Sequence, residues 1–250
     1  MQQGIIRNSR ACPACGNNGT LIRTRFRCPS CGQIWGIRGG SILEGSKMPA
    51  WHFLEIVRCH SDDLAPGEAS RYTGLPPGTI RIFYEKIRRA ILDGTDTGAR
   101  EGCSDPAIFA AGAPSMDPVA LGIRSSGGVI SVEPVHIAGN DLVHALQVPR
   151  NLWGNILFVT SYGLKYPGYI LYYPGRQGTE TVLIKPRTGE PWPQLDGFWH
   201  FSEKILRQHP DLDRNDLPVF IQETVFRFNH RNTDLFQAIV NKIARYDYSR

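Results

Sequence analysis

Cys12-Pro13-Ala14-Cys15 and Cys28-Pro29-Ser30-Cys31 stand near the start of the chain, separated by twelve residues. Two CxxC pairs at this distance, each with a proline inside, have the ligand spacing of a four-cysteine zinc ribbon. Four thiolates about 2.3 Å from one ion make a closed tetrahedral shell with no open catalytic position. The expected cofactor is therefore one structural Zn2+ held by Cys12, Cys15, Cys28 and Cys31. A disulfide pair or four unrelated thiols is the competing reading. Against it, so short a segment with so few apolar residues lacks a core to fold on, and binding a metal supplies folding free energy.

Around the cysteines, Thr20-Leu21-Ile22-Arg23-Thr24-Arg25-Phe26-Arg27 alternates partly apolar with basic residues. It predicts one strand between the knuckles, with its arginines on one face. Gln33 to Ile37 predicts a second short strand closed by Gly39-Gly40, and Trp35 is read as core for so small a module. The first forty residues hold Arg7, Arg10, Arg23, Arg25, Arg27 and Arg38, with no acid before Glu44. The whole chain is +5, but residues 1–100 have 14 Lys+Arg against 8 Asp+Glu, whereas residues 101–250 have 14 against 15. Guanidinium forks suit phosphate oxygens and displace counterions from them, so this placement points to a nucleic acid partner. A merely solvated basic face and a protein-binding ribbon are the alternatives.

From Pro49 the apolar period becomes helical, with Trp51, Phe53, Leu54, Ile56 and Val57 on one face through about Cys59. A loop follows, then a short helix ended by Gly74, then the turn Leu75-Pro76-Pro77-Gly78. Ile80, Phe83, Ile87 and Ile91 next repeat at helical spacing. A short helix, a tight turn and a longer basic helix predict a helix-turn-helix. In it Thr79 and Arg81 are placed for base edges, and Lys86, Arg88 and Arg89 for phosphates. An ordinary helical hairpin with a solvated basic face is the plainer account.

Residues 93 to 118 are rich in Gly, Ala, Asp, Ser and Pro and read as a connector. Cys59 and Cys103 have no ligand-like spacing and are taken as plain thiols. Beyond Gly127-Gly128 the sequence predicts strands at 129–137, 142–148, 156–160, 169–173 and 181–184. Helices follow, marked by Trp199, Ile205 and Leu206, by Val219 to Phe228, and by Leu235 to Ile243. The expected fold is α+β and multidomain: zinc ribbon 1–46, helix-turn-helix 47–93, linker 94–126 and a C-terminal domain 127–250. Hydrophobic content of 41% suits a globular protein. No run of eighteen apolar residues and no signal-like start is present, which sets the expectation of a soluble, cytoplasmic chain with no membrane partner.

The CxxC…CxxC ribbon, the run Phe26-Arg27-Cys28-Pro29-Ser30-Cys31 with Gly39 to Pro49 after it, and the helical segment to residue 92 together resemble the N-terminal half of zinc-ribbon bacterial insertion-sequence transposases. Gly197-Phe198-Trp199 and Phe226-Arg227-Phe228-Asn229-His230-Arg231 resemble that family's C-terminal part. The resemblance implies a DDE, RNase H-like catalytic domain at 127–250, in which carboxylates clamp two metal ions. Where the family has its first Asp this chain has Glu133 followed by Pro134. Where the second falls it has Ser161, and before the Phe-Trp helix it offers Pro191, Pro193 and Asp196.

The resemblance thus implies a catalytically degenerate, domesticated relative. The preferred expectation is a sequence-specific double-stranded DNA-binding protein, a homodimeric transcriptional regulator associated with the bacterial nucleoid, whose contacts come from Arg23, Arg25, Arg27, Arg38, Thr79, Arg81, Lys86, Arg88 and Arg89. The alternative is a metal-dependent DNA nuclease or recombinase using Glu133, Asp196, His200 and Glu203. A third reading is a protein-interaction adaptor. No phosphate-cradling Gly-rich loop argues for a nucleotide-driven motor.

Overall fold

A computed structural model describes residues 10–93, 119–135, 142–172, 180–185, 193–209 and 216–246, apart from 13, 24, 37, 40, 143, 153, 154 and 162–164. The predicted connector around residues 94–118, with Cys103, lies outside them, as does Arg7. The chain is α+β and divides into two compact units, one of residues 1–93 with 233–250 and one of residues 94–232.

The first unit begins with the three-stranded antiparallel sheet β1 (Thr20–Ile22), β2 (Arg25–Arg27) and β3 (Ile34–Gly36). The single strand expected over residues 20–27 is instead a hairpin, turned at Arg23, whose φ of 57° no extended strand accommodates. Phe26 is buried and its ring lies 5.6 Å from that of Trp35 on the paired strand, forming the small core that Trp35 was expected to supply. Gly19 is required beside them, because a Cβ there would come within 2.4 Å of the Trp35 ring.

Three helices follow: α1 (Ala50–Ser61), α2 (Pro66–Thr73) and α3 (Pro77–Leu92). Gly74 ends α2 at φ 71°, the left-handed C-terminal position that a residue without Cβ takes most easily. On α3 the predicted face of Ile80, Phe83, Ile87 and Ile91 is buried, joined by Tyr84 and Ala90. Trp51, expected on the buried face of α1, is instead 57% exposed and stacks on His52. The buried face of α1 is Phe53, Ile56, Val57, Cys59 and His60, and Trp51, two residues before Phe53, points about 200° away from it around the helix. Ile42 and Leu43 are fully buried as well.

The second unit holds a five-stranded sheet in the order β5-β4-β7-β6-β8, built from β4 (Val119–Ser126), β5 (Val129–Pro134), β6 (Ile156–Thr160), β7 (Gly168–Tyr172) and β8 (Thr181–Ile184). All neighbours are antiparallel except β6 and β8. Strand β4 corrects the linker assigned to 94–126. Gly127 and Gly128, at φ 56° and 86°, are the two-residue turn of a β4–β5 hairpin, since such turns need positive φ at both central residues. Among the described residues of the stretch 142–148 there is no strand either. Leu146 donates to the Leu142 carbonyl at 2.8 Å, so a helical turn stands there.

Helices α4 (Pro193–Gln208) and α5 (Leu217–Asn229) pack on one sheet face. Leu195, Phe198, Trp199, Phe220, Ile221 and Phe228 meet Leu121, Ile123, Phe158 and Ile170 there. On the other face Leu157, Val159, Tyr166, Tyr169 and Leu171 make a second cluster with Leu142 and Val148. Burial on both faces explains why β6 and β7 read as unbroken apolar runs. The last helix, α6 (Leu235–Arg245), belongs to the first unit and packs on α1 and α3.

Candidate metal centre and basic surface

Each CxxC pair is followed directly by glycine, Gly16 or Gly32, and the two knuckles repeat one hydrogen-bond pattern. In the first, Gly16 N–H donates to the Cys12 carbonyl at 2.9 Å, and Cys12 N–H donates to Asn17 at 2.8 Å. In the second, Gly32 N–H donates to Cys28 at 3.0 Å, and Cys28 N–H to Gln33 at 2.8 Å. Gly16 and Gly32 sit at φ 77° and 76° with open space around them, so backbone conformation rather than room selects glycine. The Cys-Pro-x-Cys-Gly repeat is a sequence signal fuller than the CxxC spacing alone. Asn17 Nδ2 donates to Ser30 Oγ at 3.0 Å and ties one knuckle to the other.

The four Sγ atoms lie within 4.8 Å of one another. Cys12–Cys31 and Cys15–Cys28 are each 3.5 Å apart, and Cys15–Cys31 is 3.6 Å. Sulfurs at tetrahedral corners around an ion at about 2.3 Å would be about 3.8 Å apart, so the donor set fits a four-coordinate site. The same separations are far beyond the roughly 2.05 Å of an S–S bond, and the thiols are free. Among the described residues this is the one group of three or more His, Cys, Asp or Glu placed to hold a metal ion.

The Cys15, Cys28 and Cys31 thiols titrate as neighbours rather than as isolated groups. Backbone N–H donation, from Cys31 first, lowers the Cys28 thiol to about 6. The Gln33 N–H favours the Cys31 thiolate, but Cys12, burial, Cys28 and Cys15 together push that thiol up to about 12. A thiolate at Cys28 is thus favoured, while the Cys15 and Cys31 thiols beside it are raised. Cys59, buried on α1 and away from the cluster, has its thiol raised chiefly by burial and then by Asp62 and Glu55, as suits a plain packing thiol.

The predicted basic residues divide into two groups. Arg23, Arg25 and Arg27 are exposed on β1–β2, and Arg81 and Arg89 are exposed on α3. Arg38 is half-buried and structural: its Nη1 donates to the Ser46 and Met48 carbonyls at 2.7 and 2.8 Å, stapling the segment that leads into α1. Lys86 Nζ donates to the Ile42 carbonyl at 3.2 Å and lies over the Phe83 ring. Thr79 and Arg88 are half-buried. The sequence could not separate these groups, since each is a polar residue in a basic segment.

The acidic candidates are not brought together. Glu133 on β5 receives the Tyr166 hydroxyl, pairs with Arg124 at 2.8 Å and has Lys165 at 4.0 Å. Hydrogen bonding to Tyr166 first, and then charge, raises both Arg124 and Lys165. Asp196 pairs with Lys185 at 2.9 Å, and Glu203 with Arg207 at 2.6 Å along α4. His200 is exposed on the same helix. Each carboxylate thus faces a protein cation. The buried pair Glu223–Arg227 on α5, at 2.9 Å, was not singled out from the sequence and lies inside the second unit.

The fold and site together define an α+β protein with a four-cysteine cluster able to hold a metal ion, and no described helix is long and apolar enough to cross a membrane. No protein-family model, no curated protein and no solved structure matches the chain.

Proposed function

We propose that this is a zinc-dependent, sequence-specific double-stranded DNA-binding protein derived from an insertion-sequence transposase and acting as a transcriptional regulator. The observation that carries the reading is the exposure of Arg23, Arg25, Arg27, Arg81 and Arg89 in a unit whose first forty-three residues contain no acid. Such residues neutralise phosphates and release counterions. In this reading α2, the turn at Gly74–Pro76 and α3 form a helix-turn-helix. The ribbon, closed around one structural Zn2+, adds backbone contacts. The resemblance over residues 12–92 supports the transposase ancestry. The carboxylates that such a parent would use for two metal ions are spread over β5 and α4 and engaged by Arg124, Lys185 and Arg207. The second unit then serves for dimerisation or partner contact.

Fluorescence anisotropy on duplex DNA at several salt concentrations tests this. The expected result is a linear fall of log affinity with log salt, shallower by about one unit for each phosphate-contacting arginine removed at Arg25 or Arg27. Salt-independent binding, or none, would sink it and favour a protein-binding ribbon. Nicking of supercoiled DNA with Mg2+ or Mn2+ that disappears in Glu133→Gln would replace the regulator by a nuclease.

A further inference from the structure

Helix α3 turns one face inward through Ile80, Phe83, Tyr84, Ile87, Ala90 and Ile91. The opposite face is a stripe of exposed residues at helical spacing: Gly78, Arg81, Ile82, Glu85 and Arg89. Three features of this stripe matter. Ile82 is 56% exposed, although α3 has a complete apolar face elsewhere. Arg81, beside it, has no hydrogen-bond or ion-pair partner among the described residues. Glu85 follows one turn later, in the middle of the stripe.

A surface that only coats phosphates is built of cations. An aliphatic side chain adds nothing there and a carboxylate repels the backbone. An adjacent cation and branched aliphatic, with an anion one turn on, instead match the chemistry of base edges in the major groove. Arginine is bidentate to guanine O6 and N7, an apolar side chain meets the thymine 5-methyl, and a carboxylate accepts from cytosine N4. Gly78, with nothing near its missing Cβ, leaves the first turn clear for close approach to the groove. The N-terminal turns of a recognition helix are where such contacts fall.

Resting on the DNA-binding reading above, we propose that Arg81 and Ile82 are the specificity-determining pair of this protein. They would read a guanine and the 5-methyl group of an adjacent thymine, with Glu85 selecting cytosine nearby and Arg89 on the backbone. This displaces Thr79, which is half-buried, from the base readout, and Lys86, which is bonded to the Ile42 carbonyl, from the phosphate contacts.

The test uses the full, metal-loaded chain. A preferred site is selected from a randomised duplex library with the wild type, and affinities are then measured for that site and for unrelated DNA. Arg81→Ala is expected to lose about tenfold or more on the selected site while its binding to unrelated DNA falls far less. Ile82→Ala is expected to lose about fourfold, the worth of about one buried methyl group. Replacing the contacted thymine by uracil should cost the wild type the same factor and cost Ile82→Ala nothing further. Both side chains are exposed, so unfolding curves matching the wild type confirm intact variants. A wild type that binds with a salt slope but whose specificity survives Arg81→Ala and Ile82→Ala overturns this assignment and leaves DNA binding standing. A wild type that does not bind duplex DNA overturns the reading beneath it.

Discussion

The side-chain amide of Asn229 pairs with the backbone of Ile130 as a neighbouring strand would: Nδ2 donates to the Ile130 carbonyl at 2.7 Å, and Oδ1 accepts from the Ile130 N–H at 2.9 Å. Strand β5 lies at the edge of its sheet, and an edge presents unpaired backbone groups that invite another chain. The last residue of α5 closes that edge at one point across 99 positions of sequence. Asn229→Ala leaves both groups to water and should cost about 1–2 kcal/mol in denaturant unfolding. Asn229→Asp keeps the acceptor but sets a carboxylate against the Ile130 carbonyl, so it should not rescue. Amide exchange at Ile130 should accelerate in both variants.

Gly122 lies in the middle of β4 with the Tyr166 ring against it, and a Cβ there would come within 2.6 Å of ring carbon. The ring is buried and its hydroxyl is committed to Glu133, so it has nowhere cheap to move. Gly122→Ala is expected to destabilise the second unit by about 1–3 kcal/mol, the usual penalty of overpacking. Gly122→Ala combined with Tyr166→Ala should recover part of that loss. Additive losses in thermal unfolding would show that the two do not meet.

Asn229 and Gly122 act through partners far along the chain, which no local pattern of sequence announces. The Cys-Pro-x-Cys pairs, the Gly74 stop and the α3 face of Ile80, Phe83, Ile87 and Ile91 could be read directly, because local spacing or backbone chemistry dictates them. Strand β4 escapes the sequence reading because Gly127-Gly128 is read there as the opening of a domain rather than as a hairpin turn, although positive φ at both positions is what a Gly-Gly pair supplies. Residues 142–148 misled because a short apolar run has no period that tells strand from helix. Arg38 and Lys86 misled for a different reason. Their charge suggested phosphate, whereas their partners are carbonyls of a segment that sequence alone does not place.

Arg38 therefore offers a clean separation of structure from binding. Its guanidinium donates to two carbonyls, those of Ser46 and Met48, and a charged donor contributes about 1.5–3 kcal/mol per bond where it is sheltered. Half-burial reduces this, and Arg38→Ala should cost about 2 kcal/mol in total. Arg38→Lys should recover part of the loss, because both bonds leave one nitrogen, Nη1, and an ammonium has donors enough for both carbonyls although its stem is shorter. Arg25→Ala, by contrast, should leave thermal unfolding unchanged. Equal stability of the Arg38 and Arg25 variants would refute the distinction.

The cysteine cluster should couple metal to pH. In the metal-free chain Cys28 is lowered to about 6 from an ordinary 9, so its contribution to stability is present above about pH 9 and is lost as pH falls through 6. Cys31, raised to about 12, works the other way: its contribution is present below 9 and is lost as pH rises toward 12. Ligation by all four thiolates needs each of them deprotonated, so metal binding at this cluster should release protons and its apparent affinity should weaken steadily from pH 8 to pH 6. Competition with a chelator across that range gives the slope. Cys28→Ser should abolish one-to-one binding and unfold the β1–β3 sheet, and a flat pH profile would exclude thiolate ligation.

Helix α6 sets the last expectation. The sequence placed it in a domain of residues 127–250, since it follows α5 directly and its own pattern names no partner. Instead Ile239, Val240 and Ile243 are buried in the first unit, where α6 packs on α1 and α3, and the Arg58 guanidinium lies 4.1 Å from the Phe236 ring. A unit whose chain leaves at Asp93 and returns at Thr233 depends for its core on both ends. Ile239→Ala removes a fully buried side chain and should destabilise that unit by about 2–5 kcal/mol. Hydrogen exchange resolved by segment distinguishes the outcomes: faster exchange in α1 and α3 with β4–β8 unchanged is expected, because those helices share the core that Ile239 fills. Faster exchange confined to β4–β8 would return α6 to the unit that the sequence assigned it.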